Sequence, residues 1–164
     1  MKKLLVVLLA MMALLSVSAM AETVDAFSTA SVADFYGATA LAGDDLMNAV
    51  NSQSGTYLVS TTNPDGSPNT AYFIFAIKKV NDKYYLQLGL ADNQSKANLT
   101  ANGEGLAVYA ANPSTEEGAK AYTVSGARIR FDAIEDQAVV DQLNAEAARP
   151  GAMFYEIVEV RPLG

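Results

Sequence analysis

The sequence predicts a mainly β domain, a small closed barrel of six strands with helices at the margins. Three observations predict it. Short runs rich in aromatic and β-branched residues recur along most of the chain. Clusters of Gly, Pro, Asn and Asp separate them. Helical spacing of apolar residues occurs only beside the set, not between every pair of strands as a parallel α/β fold requires.

In chain order, Met1 to Ala21 carries the marks of an export signal. Lys2 and Lys3 precede the apolar run Leu4–Leu15, and Ala19-Met20-Ala21 is a small-x-small cleavage site. The apolar run is shorter than the roughly 20 residues a membrane span needs. The mature chain is expected to begin at Glu22 in a periplasmic or secreted setting, with no membrane contact after cleavage. The organisation expected is therefore a signal peptide at 1–21, a leader and weak helix at 22–44, and the barrel domain at 45–164. Asp44-Asp45 starts a helix through Leu46, Met47 and Val50.

Thr56–Thr62 is the first strand, and Asn63-Pro64-Asp65-Gly66-Ser67-Pro68 turns it back. Asn69–Val80 is one long second strand, with Ala71, Phe73, Phe75 and Ile77 on one face and Tyr72, Ile74, Ala76 and Lys78 on the other. Both faces are largely apolar, yet a barrel has one inside, so a second copy is expected to cover the outer face in a homodimer. The aromatics Tyr72, Phe73, Phe75, Tyr84 and Tyr85 belong to core or dimer contact. Asn81-Asp82-Lys83 turns into the third strand, Tyr84–Ala91, where Gly89 marks a bulge or a close approach to the backbone. Asp92-Asn93-Gln94-Ser95-Lys96 then leads into a helix through Asn98-Leu99, and free N–H groups at its start make Ser95 and Lys96 a candidate anion site. Asn98-Leu99-Thr100 matches a glycosylation sequon within that helix. Leu106–Ala111 is the fourth strand, Ala121–Ile134 the fifth with a bend at Gly126, and Phe154–Val160 the sixth. Asp136 caps a helix toward Arg149 that Pro150-Gly151 stops.

Composition narrows function. The chain contains no His and no Cys, which removes the commonest general base and metal ligand, and no group of residues has metal-ligand character. Without Lys2 and Lys3 it holds 9 basic and 18 acidic residues, a balance that excludes nucleic acid as a partner.

From about Asp45 to Val160 the sequence resembles the flavin-binding split-barrel family related to pyridoxamine 5′-phosphate oxidase. The likeness rests on Leu58-Val59-Ser60-Thr61-Thr62, on Asp65-Gly66-Ser67-Pro68 leading into an apolar strand, and on Ser95-Lys96 with Asn98-Leu99 after the third strand. It implies a six-stranded split barrel of the FMN-binding type. It implies flavin mononucleotide held by Ala71, Tyr72, Phe73, Gly89, Leu90, Ser95 and Lys96, often at a dimer interface. It implies oxidoreductase chemistry carried by the flavin, with a non-enzymatic flavin or small-molecule binding module as the alternative. No catalytic residue is singled out. Where family members carry Arg or His early in the second strand, Asn69 and Thr70 stand here. Lys96 is then nearly alone as a phosphate partner unless Arg128 or Arg130 reaches in, and a true vitamin B6 oxidase is not expected.

Overall fold

A computed structural model describes residues 36–112, 124–147 and 150–164. The chain divides into two units, Met1–Val32 and Ala33–Gly164. The expected signal, the leader as far as 35 and the 121–123 portion of the fifth strand lie outside the described residues.

The described elements are α1 (Gly43–Asn51), β1 (Thr56–Thr62), β2 (Pro68–Tyr72), β3 (Phe75–Val80), β4 (Lys83–Leu88), α2 (Gln94–Asn102), β5 (Glu104–Ala110), β6 (Gly126–Ala133), α3 (Gln137–Ala145) and β7 (Met153–Arg161). A short 3-10 turn, Gly37–Thr39, precedes them. Every strand pairing is antiparallel, and the sheet runs β2-β1-β5-β6-β7-β4-β3.

This order corrects the expectation of six strands in a closed barrel. The run Asn69–Val80 is two strands, interrupted at Phe73 and Ile74, and the described sheet has seven. Its end strands β2 and β3 are not paired to each other, so the ladder is open. The chain crosses there from one edge of the sheet to the other, and a strand cannot hydrogen-bond its own continuation. A continuous apolar run carries no mark of that break.

The sheet nevertheless curls on itself. Tyr57 of β1 and Phe75 of β3 stand five strands apart in the order, yet their rings meet edge to face at 5.1 Å. Tyr109 of β5 joins them, its centroid 5.1 Å from that of Tyr57. Around these rings lie Val59, Ile77, Leu86, Leu88, Ile129 and Phe131, all buried. Alternation along each strand puts these residues inside, as period-2 patterning requires.

Helix α1 sits beside the seam. Leu46 and Val50 face the core. The Asn51 side chain imitates a neighbouring strand: its Nδ2 donates to the Ile77 carbonyl at 2.9 Å, and the Ile77 amide donates back to its Oδ1 at 2.9 Å. One edge of β3 is thereby satisfied without another strand. Tyr57 ties the same helix by donating to the Val50 carbonyl at 2.7 Å.

The turns follow their chemistry. Asn81 and Asp82 both adopt positive φ, 50° and 61°, between the paired residues Val80 and Lys83. That is the geometry a two-residue hairpin demands, and Asn and Asp tolerate it best after glycine. At Gly126 a Cβ would lie 2.2 Å from the Tyr109 carbonyl oxygen, so β5 and β6 can close up only with glycine there. The expected bend is thus the first residue of β6. As expected, the Asp136 side chain accepts from the Ala138 amide and caps α3, which buries Val139 and Leu143.

Candidate functional site

The loop from the end of β4 into α2 holds four of the predicted residues. Strand β4 ends at Leu88, so Gly89 is neither a bulge nor a point of close approach within the chain. Gly89 is exposed, its φ lies outside the left-handed range, and a Cβ there would meet nothing within 4 Å. Leu90, by contrast, turns inward and joins the core.

Asn93 caps α2: its side-chain oxygen accepts the Lys96 amide at 3.0 Å. Ser95 and Lys96 then diverge, as neighbours on a helix must. Lys96 stays on the outer surface. Its Nζ donates to Asp92 Oδ1 at 2.8 Å, and the pair lines an open depression of about 360 Å³ with Ala97 and Thr100. The hydrogen bond from Lys96, and then its charge, hold the Asp92 carboxyl below the usual carboxylate range.

Ser95 is buried and belongs to a cluster of uncharged polar groups between α2 and the β1–β2 hairpin. Asn69 Nδ2 donates to Ser95 Oγ at 2.9 Å and to Thr61 Oγ1 at 3.1 Å. Asn98 Nδ2 donates to the same Thr61 oxygen at 3.0 Å and to Asn63 Oδ1 at 2.9 Å, while Gln94 donates to Asn98 Oδ1 at 2.7 Å. Interior polar groups must be matched in this way, since an unmatched one costs about 1–3 kcal/mol. Asn98 is 3% exposed and fully engaged, so the sequon it heads is closed to glycosylation in the folded chain.

The second strand divides likewise. Ala71 pairs with the inward Val59, and Phe73 packs against the core. Tyr72 points outward at 56% exposure and Ile74 at 52%. Continuing the β3–β4 register by one residue from Phe75–Leu88 puts Ile74 opposite Gly89. Of the predicted site, Tyr72, Gly89 and Lys96 therefore offer surface to a ligand. Ala71, Phe73, Leu90 and Ser95 stand behind them.

Neither arginine of β6 lines the depression beside Lys96. Arg128 Nε donates to the Pro162 carbonyl at 2.7 Å, and Arg130 pairs with Asp132 at 3.1 Å. Sequence reasoning missed the amide cluster. Two signals in the sequence point to it. Thr61 takes the inward position after Tyr57 and Val59, where an apolar residue is expected, and Asn98 stands three residues after Ser95 on one helix face.

No family model and no curated protein sequence matches the chain. Among solved structures, an FMN-binding protein from Syntrophomonas wolfei superposes with a TM-score of 0.52 at 13% identity, over 74% of this chain and 86% of that one. The fold is a split barrel. A candidate pyridoxamine 5′-phosphate oxidase from Lactobacillus delbrueckii superposes at 0.46 with 19% identity, covering 70% of this split barrel's chain and 90% of its own. HutZ, a haem storage protein from Vibrio cholerae, does so at 0.44 with 10% identity, covering 74% and 95%.

Proposed function

We propose that this split barrel is an exported flavin-binding module that works as a homodimer and takes flavin mononucleotide as its ligand. One observation carries the reading. Ile74 exposes a large apolar surface opposite Gly89, a glycine that nothing within the chain requires, and Tyr72, two residues before it, is exposed as well. A flat apolar ledge with a bare backbone is what a planar ring system lies against. Tyr72 and Gly89 would hold the ring, with Ala71, Phe73 and Leu90 fixing the backbone behind them. Lys96 would meet the phosphate at the start of α2, and Ser95 would hold that start in register. The flavin supplies any redox chemistry when bound. The chain itself, without His or Cys, positions it.

Asp92 tempers the phosphate contact, because Lys96 must leave it to reach an anion. That pair is a solvent-screened surface ion pair worth little, whereas a charge-assisted bond to phosphate is worth about 1.5–3 kcal/mol. Lys96→Ala should therefore weaken flavin mononucleotide binding by roughly three- to thirtyfold, and Asp92→Asn should strengthen it a few-fold. Riboflavin, which lacks the phosphate, should respond to neither change. The test is flavin fluorescence and calorimetric titration of the purified chain with both ligands. Saturable binding in the micromolar range supports the proposal. A flat titration of wild-type protein with both flavins to about 100 μM (the weak end of cofactor affinity) overturns it.

A further inference from the structure

A second hollow lies at the other end of α2, between the middle and end of α3, the end of β6 and the start of β7. It is an open depression of about 380 Å³, at the lower end of the range for small-molecule pockets. Leu99, Ile134, Val140 and Phe154 form apolar walls, and none of the described lining residues is charged. Thr100 borders it, but the Thr100 hydroxyl is already engaged, donating to the Lys96 carbonyl at 2.8 Å.

The floor includes Tyr155, which is 5% exposed. Its hydroxyl makes no hydrogen bond among the described residues. Tyr57 and Tyr109, buried in the same core, differ: each donates to helix or loop carbonyls at 2.7–3.1 Å. Tyr85 is buried without a hydroxyl bond among the described residues too, but it lines no part of this hollow; the Tyr155 oxygen is not sealed off, so water or a ligand in the hollow can take its hydrogen bond. Asn144, exposed at the rim, is likewise uncommitted among the described residues and offers both a donor and an acceptor.

We propose that this hollow binds a small neutral ligand, a one- or two-ring apolar compound bearing a carbonyl-type acceptor that takes the Tyr155 hydrogen bond. The apolar walls call for the rings. Among the described lining residues none supplies a cation to meet an anion, and the chain as a whole is acidic. Burial pushes the Tyr155 phenol up to about 12, so it remains a neutral donor at any physiological pH. One water, about 30 Å³ by liquid volume, could reach the hydroxyl but would leave most of the apolar wall wet. The site is independent of the flavin proposal and lies on other residues, with Thr100 at the boundary between the two hollows.

The full chain is titrated with coumarin, a neutral two-ring lactone, followed by ligand-observed NMR and calorimetry. Saturable binding below about 1 mM is expected. Tyr155→Phe should weaken it about three- to tenfold and leave naphthalene, which has no acceptor, unchanged. Val140→Trp, which fills the hollow from a half-buried position, should abolish binding of both. Coumarin-3-carboxylate should bind at least about tenfold more weakly than coumarin. Saturating flavin mononucleotide should not compete. No saturable binding of coumarin overturns the proposal. So does an unchanged coumarin affinity in Tyr155→Phe, which would leave the hydroxyl merely hydrated, or displacement by the flavin. If Tyr155→Phe does not fold, retained coumarin binding in Val140→Trp overturns it on its own.

Discussion

Asn98→Ala tests the claim that buried amides fix α2 to the β1–β2 hairpin. The substitution removes bonds of 3.0 Å to Thr61, 2.9 Å to Asn63 and 2.7 Å from Gln94. They are not equal. Gln94 is exposed and recovers its bond from water, while Thr61 keeps the donor from Asn69. Two interior bonds at about 1 kcal/mol each, with a small void where the amide stood, make a loss of about 2–3 kcal/mol. Alanine returns about 0.5 kcal/mol in helix propensity, leaving about 1.5–2.5 kcal/mol. For a domain of this size each kcal/mol moves the midpoint by about 3–5 °C, so Tm should fall by about 5–12 °C. Asn98→Asp should lose more at pH 7, because a carboxylate would face the Asn63 carbonyl oxygen in a buried site. Far-UV circular dichroism and urea midpoints measure both. An alanine variant within about 2 °C of wild type, or an aspartate variant as stable as wild type, would refute the reasoning.

Gly126→Ala should destabilise by about 3 kcal/mol or more, since the new methyl meets the β5 backbone at Tyr109 and Ala110, which cannot move aside as the Leu163 side chain can; a variant that melts with the wild type would contradict this. Tyr84, then Lys79, hold the Asp44 carboxyl below its usual 3.8 by hydrogen bonding. A depressed pKa stabilises above the unfolded value and ceases to as pH falls through the folded one. The stability gap between wild type and Asp44→Ala should therefore be full at pH 6 and shrink below about pH 4, and urea midpoints that stay equally apart at pH 3 would count against it. If the outer face is the dimer contact, burying roughly 1,200–2,000 Å², then Tyr72→Glu with Ile74→Glu should give a monomer by light scattering, whereas a monomeric wild type ends the dimer proposal.

Much of the sheet was legible because its cues are local. Thr56–Thr62 is a strand with the bounds the sequence indicates, the Asn81-Asp82 turn declares itself, and Asp136 announces α3. The missed features are non-local. Nothing near Phe73 and Ile74 signals that the two halves of one apolar run belong to opposite edges of a sheet. The start of β5 at Glu104 was likewise hidden by Gly105, whose missing side chain makes room for Phe131 across the ladder. At the candidate site, Ser95 and Lys96 were found as a pair, but adjacency in sequence conceals that one faces the interior and the other Asp92. Asn69, which holds Ser95, and Asn63 and Asn98, which extend the cluster, come from the β1–β2 hairpin and from α2, and only folding brings these two stretches together.

The strand order also dictates when the domain can exist at all. The β1–β2 and β3–β4 hairpins are neighbours in the chain, yet in the sheet they are joined through β5, β6 and β7. Strand β7, Met153–Arg161, bridges β6 to β4 and is the last of the described strands to be synthesised. Until then, one half-sheet of β2, β1, β5 and β6 and a separate hairpin of β3 and β4 share a covalent tether but no common ladder. Such distant pairing delays folding, because loop closure must come before the contacts that reward it. Until the other described strands have been joined by β7 the sheet is incomplete, and a polypeptide short of its fold can still be threaded through a membrane pore.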